Sequence, residues 1–243
     1  MGTMPRREVF FTADDFGLNA DVNAAIMRAH CEGALHGASL MMGQPGTGEA
    51  VRLAREHSHL AIGWHVHLCD STPVTCREWP WGGSVVRAGW AIGLSRRAQE
   101  LMRREMTAQW ELYRATGLPC AFVNAHHHLH AHPMVYGALL TVLPRDISAW
   151  LRLGAPRSFQ SSNVRWAAAS EWLWWRRRRR RCPFRASDTL WGVDRIFRMQ
   201  AREVARVAED LPPGLHEFMF HPRTCLGDTD VDCLIALKGF GFR

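Results

Sequence analysis

Val9-Phe10-Phe11-Thr12-Ala13 runs straight into Asp14-Asp15-Phe16-Gly17. The first five residues are mostly apolar, as in a strand covered on both faces. Such a strand belongs in a parallel sheet, and parallel neighbours need crossovers, usually helices. The sequence supplies them. Residues 21–32 place Val22, Ile26 and Ala29 at helical spacing, and Gly33 follows as a stop. A strand is expected over 38–42, a short helix over 49–56 and a third strand over 60–64. Residues 95–116 predict the clearest helix, with Ala98, Met102, Met106, Trp110 and Tyr113 at steps of three and four. Gly117-Leu118-Pro119 closes it, and residues 121–125 read as a fourth strand.

Pro133 suits the first turn of a following helix, with Val135, Leu139 and Val142 on one side. A fifth strand over 149–153, a helix over 199–209 and a late strand over 217–220 complete the pattern. The fold class is therefore α/β, with parallel strands in an open sheet or a barrel. One domain is expected over residues 1–243. Two stretches lack a period. Residues 70–94 (Trp79, Pro80, Trp81, Gly82, Gly83, Trp90) are expected as a long loop, a candidate substrate lid. Residues 154–192 are expected as an irregular insertion rich in aromatic residues and arginine.

Composition narrows the class. The 243 residues are 47% hydrophobic, enough for one sizeable core. No apolar run approaches the roughly 18 to 20 residues of a membrane span. Residues 1–8 lack the apolar core of a secretory leader, so a cytoplasmic protein is expected. The seven cysteines are odd in number and scattered, with no C-x-x-C pair. Reduced thiols are expected, not a disulfide framework or a cysteine zinc site. Net charge is +7, but six of the positive charges form the run from Arg176 to Arg181, directly after Trp172-Leu173-Trp174-Trp175. That pairing of tryptophan and arginine suits the interface of an anionic membrane, at the inner face for a cytoplasmic protein; a solvated basic face is the plainer reading. No recognised nucleic-acid module accompanies it, so nucleic acid is not an expected partner.

The residues able to carry chemistry fall in four segments, each at the end of an expected strand: Asp14-Asp15, His65 with His67, the run from His126 to Pro133, and Phe220-His221-Pro222. In parallel α/β folds those ends converge. Two adjacent carboxylates repel, and a divalent cation relieves them. One carboxylate and two imidazoles are a common ligand set that leaves open positions for water and substrate. Each segment alone has a plainer reading: a turn or cap for Asp14-Asp15, strand residues for His65 and His67, a surface tract for the rest. Their joint occurrence favours a metal site.

At these residues the sequence resembles the YdjC-like (ChbG-type) carbohydrate deacetylase family. The resemblance rests on Thr12-Ala13-Asp14-Asp15-Phe16-Gly17, Gly63-x-His65, His126-x-His128-x-His130 with Pro133, and His221-Pro222. A narrower resemblance, to the branch associated with hopanoid biosynthesis, rests on Ala38-Ser39-Leu40-Met41, Arg87-Ala88-Gly89, residues 115–119, Val123-Asn124-Ala125-His126 and residues 211–214. The family implies an irregular (β/α) barrel and one divalent ion, magnesium or zinc, held by Asp15, His65 and His126. It implies Asp14 as general base. His221 is the candidate acid, with His128 next in line, and His128 and Arg152 are expected at the substrate. The implied reaction removes an acetyl group from an N-acetylglucosaminyl substrate, small or lipid-linked. A chitooligosaccharide is the alternative substrate, and a non-catalytic basic membrane protein the alternative role. Trp64 and the extra His67 depart from the family's usual pattern and bear on the pocket more than on the metal.

Overall fold

The computed structural model describes residues 6–159, 181–238 and 240. The tryptophan cluster at 172–175 and all but the last arginine of the basic run lie outside them. In chain order the elements are β1 (Arg7–Phe16), α1 (Ala20–Glu32), β2 (Gly37–Leu40), α2 (Thr47–Glu56), β3 (Ala61–Val66), α3 (Val85–Leu94), α4 (Arg96–Ala115) and β4 (Phe122–Ala125). A 3-10 segment (His126–Ala131), α5 (Pro133–Val142), β5 (Trp150–Leu151), β6 (Ala155–Arg157), β7 (Thr189–Trp191), α6 (Ala201–Glu209), β8 (Gly214–Phe220) and α7 (Thr229–Leu237) follow. The strands form one sheet in the order β5-β4-β3-β2-β1-β8-β7-β6, and every pairing is parallel.

The sheet curls until its β5 edge meets the segment entering β7. Leu151 and Ala186 form a single parallel bridge there. The Leu151 N–H donates to the Arg185 carbonyl, and the Ser187 N–H to the Leu151 carbonyl. This is the irregular barrel of parallel strands that the family resemblance implies, built as one α/β domain.

Strand alternation sorts the side chains. Phe11, Trp64 and Phe218 point outward under the helices; Trp64 packs on Trp110 of α4 at 5.1 Å between ring centroids, and Phe11 meets Phe218 edge-on at 5.6 Å. The interior is layered instead. At its lower end Phe10, Phe122, Trp150 and Leu215 form a small apolar plug, with Phe122 and Trp150 stacked at 5.1 Å. Gly37 and Gly63 make room for that plug. A Cβ at Gly63 would lie 2.5 Å from the Phe122 ring, and one at Gly37 only 2.9 Å from the Phe10 ring. Above the plug the interior turns polar: Thr12, Glu217 and Arg152, then Asp14, Ser39, His65 and Asn124, all buried. The apolar floor keeps water from reaching the polar layer from below.

Three expectations need correction. Residues 70–94 are not loop throughout, because α3 occupies the second half. The Ser84 hydroxyl accepts from the Arg87 N–H to cap it, and Ala88 and Ile92, one turn apart, are buried. Two short strands, β6 and β7, lie within the stretch expected to be irregular. His65 is inside β3, and Asp14 and Asp15 are inside β1, rather than beyond those strands. All seven cysteines are free thiols. Among the described residues, no helix is long and apolar enough to cross a membrane.

Candidate metal centre

β1, β3 and β4 end side by side and bring three of the expected residues together. Asp15 Oδ1 lies 3.2 Å from His65 Nε2 and 2.9 Å from His126 Nδ1. One ligand atom from each residue lies within 4.8 Å of the other two. Asp15 has φ 68°, a left-handed conformation that aspartate tolerates better than most residues. That turn parts its carboxylate from that of Asp14. His127 and His128 repeat the device at φ 52° and 54°, which costs of order 1–3 kcal/mol each and is characteristic of functional sites.

A chain of hydrogen bonds fixes which nitrogen of His65 is free. Asp14 Oδ1 accepts from Asn124 Nδ2 at 3.0 Å and from Ser39 Oγ at 2.9 Å. An ionised carboxylate only accepts, so the amide nitrogen of Asn124 must face Asp14 and its oxygen must face away. That oxygen sits 2.5 Å from His65 Nδ1, so Nδ1 carries the proton. Nε2 is then a lone pair aimed at Asp15. Neither His65 Nε2 nor Asp15 Oδ1, both buried, makes a hydrogen bond. Two buried acceptors at 3.2 Å require positive charge between them. Burial opposes charging His65, but the carboxylates of Asp14 and Asp15 outweigh it and raise its pKa. Positive charge is drawn here, as a proton or as a metal ion. The donor set of one carboxylate oxygen and two imidazole nitrogens fits a divalent transition ion.

This arrangement predicts the effect of Asn124→Leu. The variant keeps an apolar residue in a buried strand but no longer sets the His65 tautomer. Metal affinity should fall about 10- to 100-fold, read by competition with a fluorescent chelator on protein of unchanged circular dichroism. Affinity equal to wild type would show that Asn124 does not orient His65.

Asp14 lies on the inner side of the cluster, 2% exposed. Burial alone would raise its pKa, but Arg152 and His65 reverse this and hold it well below the usual carboxylate range. Arg152 donates to both Asp14 oxygens, at 2.5 and 2.8 Å, and to Glu217 Oε1 at 2.9 and 2.7 Å. Arg152 was expected at the substrate. It has no exposed surface, so it acts from behind Asp14 and does not line the cleft. His221 Nε2 is 3.8 Å from Asp14 Oδ2. The His221 backbone N–H donates to Asp230 Oδ2 at 2.7 Å, which fixes it to the start of α7. His128 lines the same cleft; burial, aided by Arg152, pushes its pKa down to about 3. His67 takes no part: its ring bonds the Met42 carbonyl at 2.8 Å and Ser71 Oγ at 2.9 Å. Asp70 and His127, 3.2 Å apart, stand at the exposed rim.

The cleft above these groups measures about 1010 Å³. Asp14, Asp15, His65, His126, His128 and His221 form its polar floor, and Leu18, Val85, Ile196 and Phe197 its apolar rim. Ser39, Asn124 and Glu217 are buried against Asp14, His65 and Arg152, and sequence reasoning left all three without a role. Asn124 stood in a quoted motif, but nothing local marks a strand asparagine as an orienter.

The sequence model described as YdjC-like protein matches residues 8–231. This chain belongs to the YdjC-like family. Relatives within reach of direct comparison include a carbohydrate deacetylase of Vibrio campbellii, 35% identical over 130 residues, which are 53% of this chain and 52% of that one. Another, from Brevibacillus brevis, is 36% identical over 136 residues, 55% of this chain and 54% of its own. The chain thus spans about half the length of the curated relatives it matches. Among solved structures, a protein of Enterococcus faecalis V583 described as a candidate cellobiose-phosphate cleavage protein superposes with a TM-score of 0.68 at 18% identity, over 95% of this chain and 91% of that one. That likeness concerns the fold. The YdjC-like match takes in Asp14, Asp15, His65, His126 and His221 alike.

Proposed function

We propose that this YdjC-like protein is a metal-dependent deacetylase that removes the acetyl group of an N-acetylglucosaminyl substrate. The observation that carries the reading is the convergence of Asp15, His65 and His126 at the floor of an open cleft, with Asp14 and His221 beside them. The relatives named carbohydrate deacetylases support the reaction class.

Asp15, His65 and His126 would hold one divalent ion, which when bound polarises an acyl oxygen and lowers the pKa of water. The remaining groups divide the proton work. Asp14 is ionised and accepts the proton of the attacking water. His221, at the cleft wall, gives a proton to the amine nitrogen as the C–N bond breaks, since an amide nitrogen leaves poorly without one. Water adds across the amide, and the products are acetate and a free amino sugar. Arg152 keeps Asp14 ionised and correctly turned.

The substrate we favour is an N-acetylglucosaminyl group on a hopanoid lipid, from the motifs shared with that branch and from the apolar rim of the cleft. A chitooligosaccharide is the competing substrate. Incubating pure protein with each and measuring free amine separates them: amine from neither substrate refutes the deacetylase, and amine from the chitooligosaccharide alone refutes the lipid. Chelation should abolish turnover. The ligand set suits zinc or a similar transition ion better than magnesium, which prefers more oxygen. Zinc, manganese, cobalt or iron is therefore expected to restore activity where magnesium does not, as titration of each ion into chelated protein would read.

A further inference from the structure

Among the described residues, three of the eight exposed large apolar side chains lie on one short helix. Val86, Trp90 and Leu94 of α3 are 64%, 66% and 78% exposed. They recur every fourth residue and so share one side of the helix. Ala88 and Ile92, also four apart, are buried on the other side. The sequence of α3 holds no acidic residue. Arg87 on the helix, and Arg96 and Arg97 just beyond it, are exposed around the apolar stripe. The first residue of α3, Val85, lines the cleft that holds the candidate metal centre.

We propose that this face of α3 seats the protein on an anionic lipid bilayer, beside the mouth of the cleft. A tryptophan flanked by aliphatic side chains suits the headgroup boundary, and exposed arginines suit anionic headgroups. Charge argues against a second copy as the occupant. A two-fold contact through the same patch would set Arg87, Arg96 and Arg97 of one copy near those of the other, three cations against the single exposed acid Glu100 at the start of α4. An anionic bilayer satisfies the apolar stripe and the arginines together. The contact is peripheral: a stripe of this length lies in the interface plane and does not span. The inference does not rest on the deacetylase reading, because docking is measured on vesicles without substrate.

The test is co-sedimentation of the full chain with phosphatidylcholine vesicles, with and without phosphatidylglycerol. Wild type should bind the anionic vesicles and not the neutral ones. Val86→Ser with Trp90→Ser and Leu94→Ser should weaken that binding at least about tenfold, since each apolar side chain contributes when buried. The triple variant should keep its melting temperature and its circular dichroism. Arg87→Glu with Arg97→Glu is a second variant, on exposed positions that leave folding alone, and should lose the anionic preference. A third variant replaces residues 176–181 by serine. If the triple α3 variant binds like wild type while the 176–181 variant does not, the α3 assignment is wrong. Absence of binding by wild type also overturns it. So does a dimer, seen by sedimentation velocity, that the triple variant abolishes, for then a second copy covers α3.

Discussion

Asp14→Asn is expected to cut turnover by about 10²- to 10⁴-fold, the range for loss of a general base, while the protein still binds its metal. His126→Ala is expected to lose both. The two residues lie in one cluster but on different branches of it. His126 Nδ1 is directed at Asp15 Oδ1 and belongs to the proposed ligand set. Asp14 holds no ligand position; its oxygens are taken by Arg152, Asn124 and Ser39. An asparagine at 14 keeps one acceptor oxygen, so Asn124 still presents its own oxygen to His65 Nδ1. What is lost is the negative charge that the proposed general base needs to accept a proton. Metal content by elemental analysis and turnover under saturating substrate read the two effects separately. Equal metal loss in both variants would refute the division of labour. Unchanged turnover in Asp14→Asn would remove Asp14 from the chemistry.

The parts of this site legible in the sequence were those with local signals. Asp14-Asp15 directly follow the apolar run of β1 and close that strand, and the histidine run leads into a proline-started helix. Strand alternation and the convergence of parallel strand ends then carry distant residues to one place. The parts that stayed hidden depend on contacts across the barrel. Arg152 meets Asp14 from 138 positions away and Glu217 from 65, so nothing near any of them in sequence announces the pairing. Ser39 and Asn124 acquire their roles only from the register of β2, β3 and β4. β6 and β7 are three residues each, too short for an alternation to register. α3 was obscured by Gly89, Gly93 and the neighbouring Trp-Pro-Trp-Gly-Gly. Ser84 caps it, but the helix it starts has weak propensity.

Arg152→Met is expected to destabilise the protein by roughly 3–5 kcal/mol, the cost of removing one partner from a buried ion pair. That is a large share of the roughly 5–15 kcal/mol that holds a typical domain folded. The guanidinium has no exposed surface, and neither has Glu217. Arg152 is the only arginine or lysine bonded to either Asp14 or Glu217 among the described residues. Without it, two buried carboxylates face each other across the space it filled. Burial already raises the pKa of Glu217, and Arg152 is the group that chiefly opposes the rise. Removing Arg152 therefore favours a protonated Glu217, which relieves part of the repulsion but leaves Asp14 without its fork. Glu217→Gln alone should be far milder, since Arg152 retains Asp14 and an amide oxygen can accept from Thr12 and from Arg152. Arg152→Lys should fall between, keeping the charge but not the geometry that reaches both acids at once. Urea unfolding of the three variants orders them, and the double variant Arg152→Met with Glu217→Gln measures their coupling. An unfolding free energy for Arg152→Met within about 1 kcal/mol of wild type would mean the charged layer is not what holds the interior of the barrel. Asp14 would then owe its position to Ser39 and Asn124 alone.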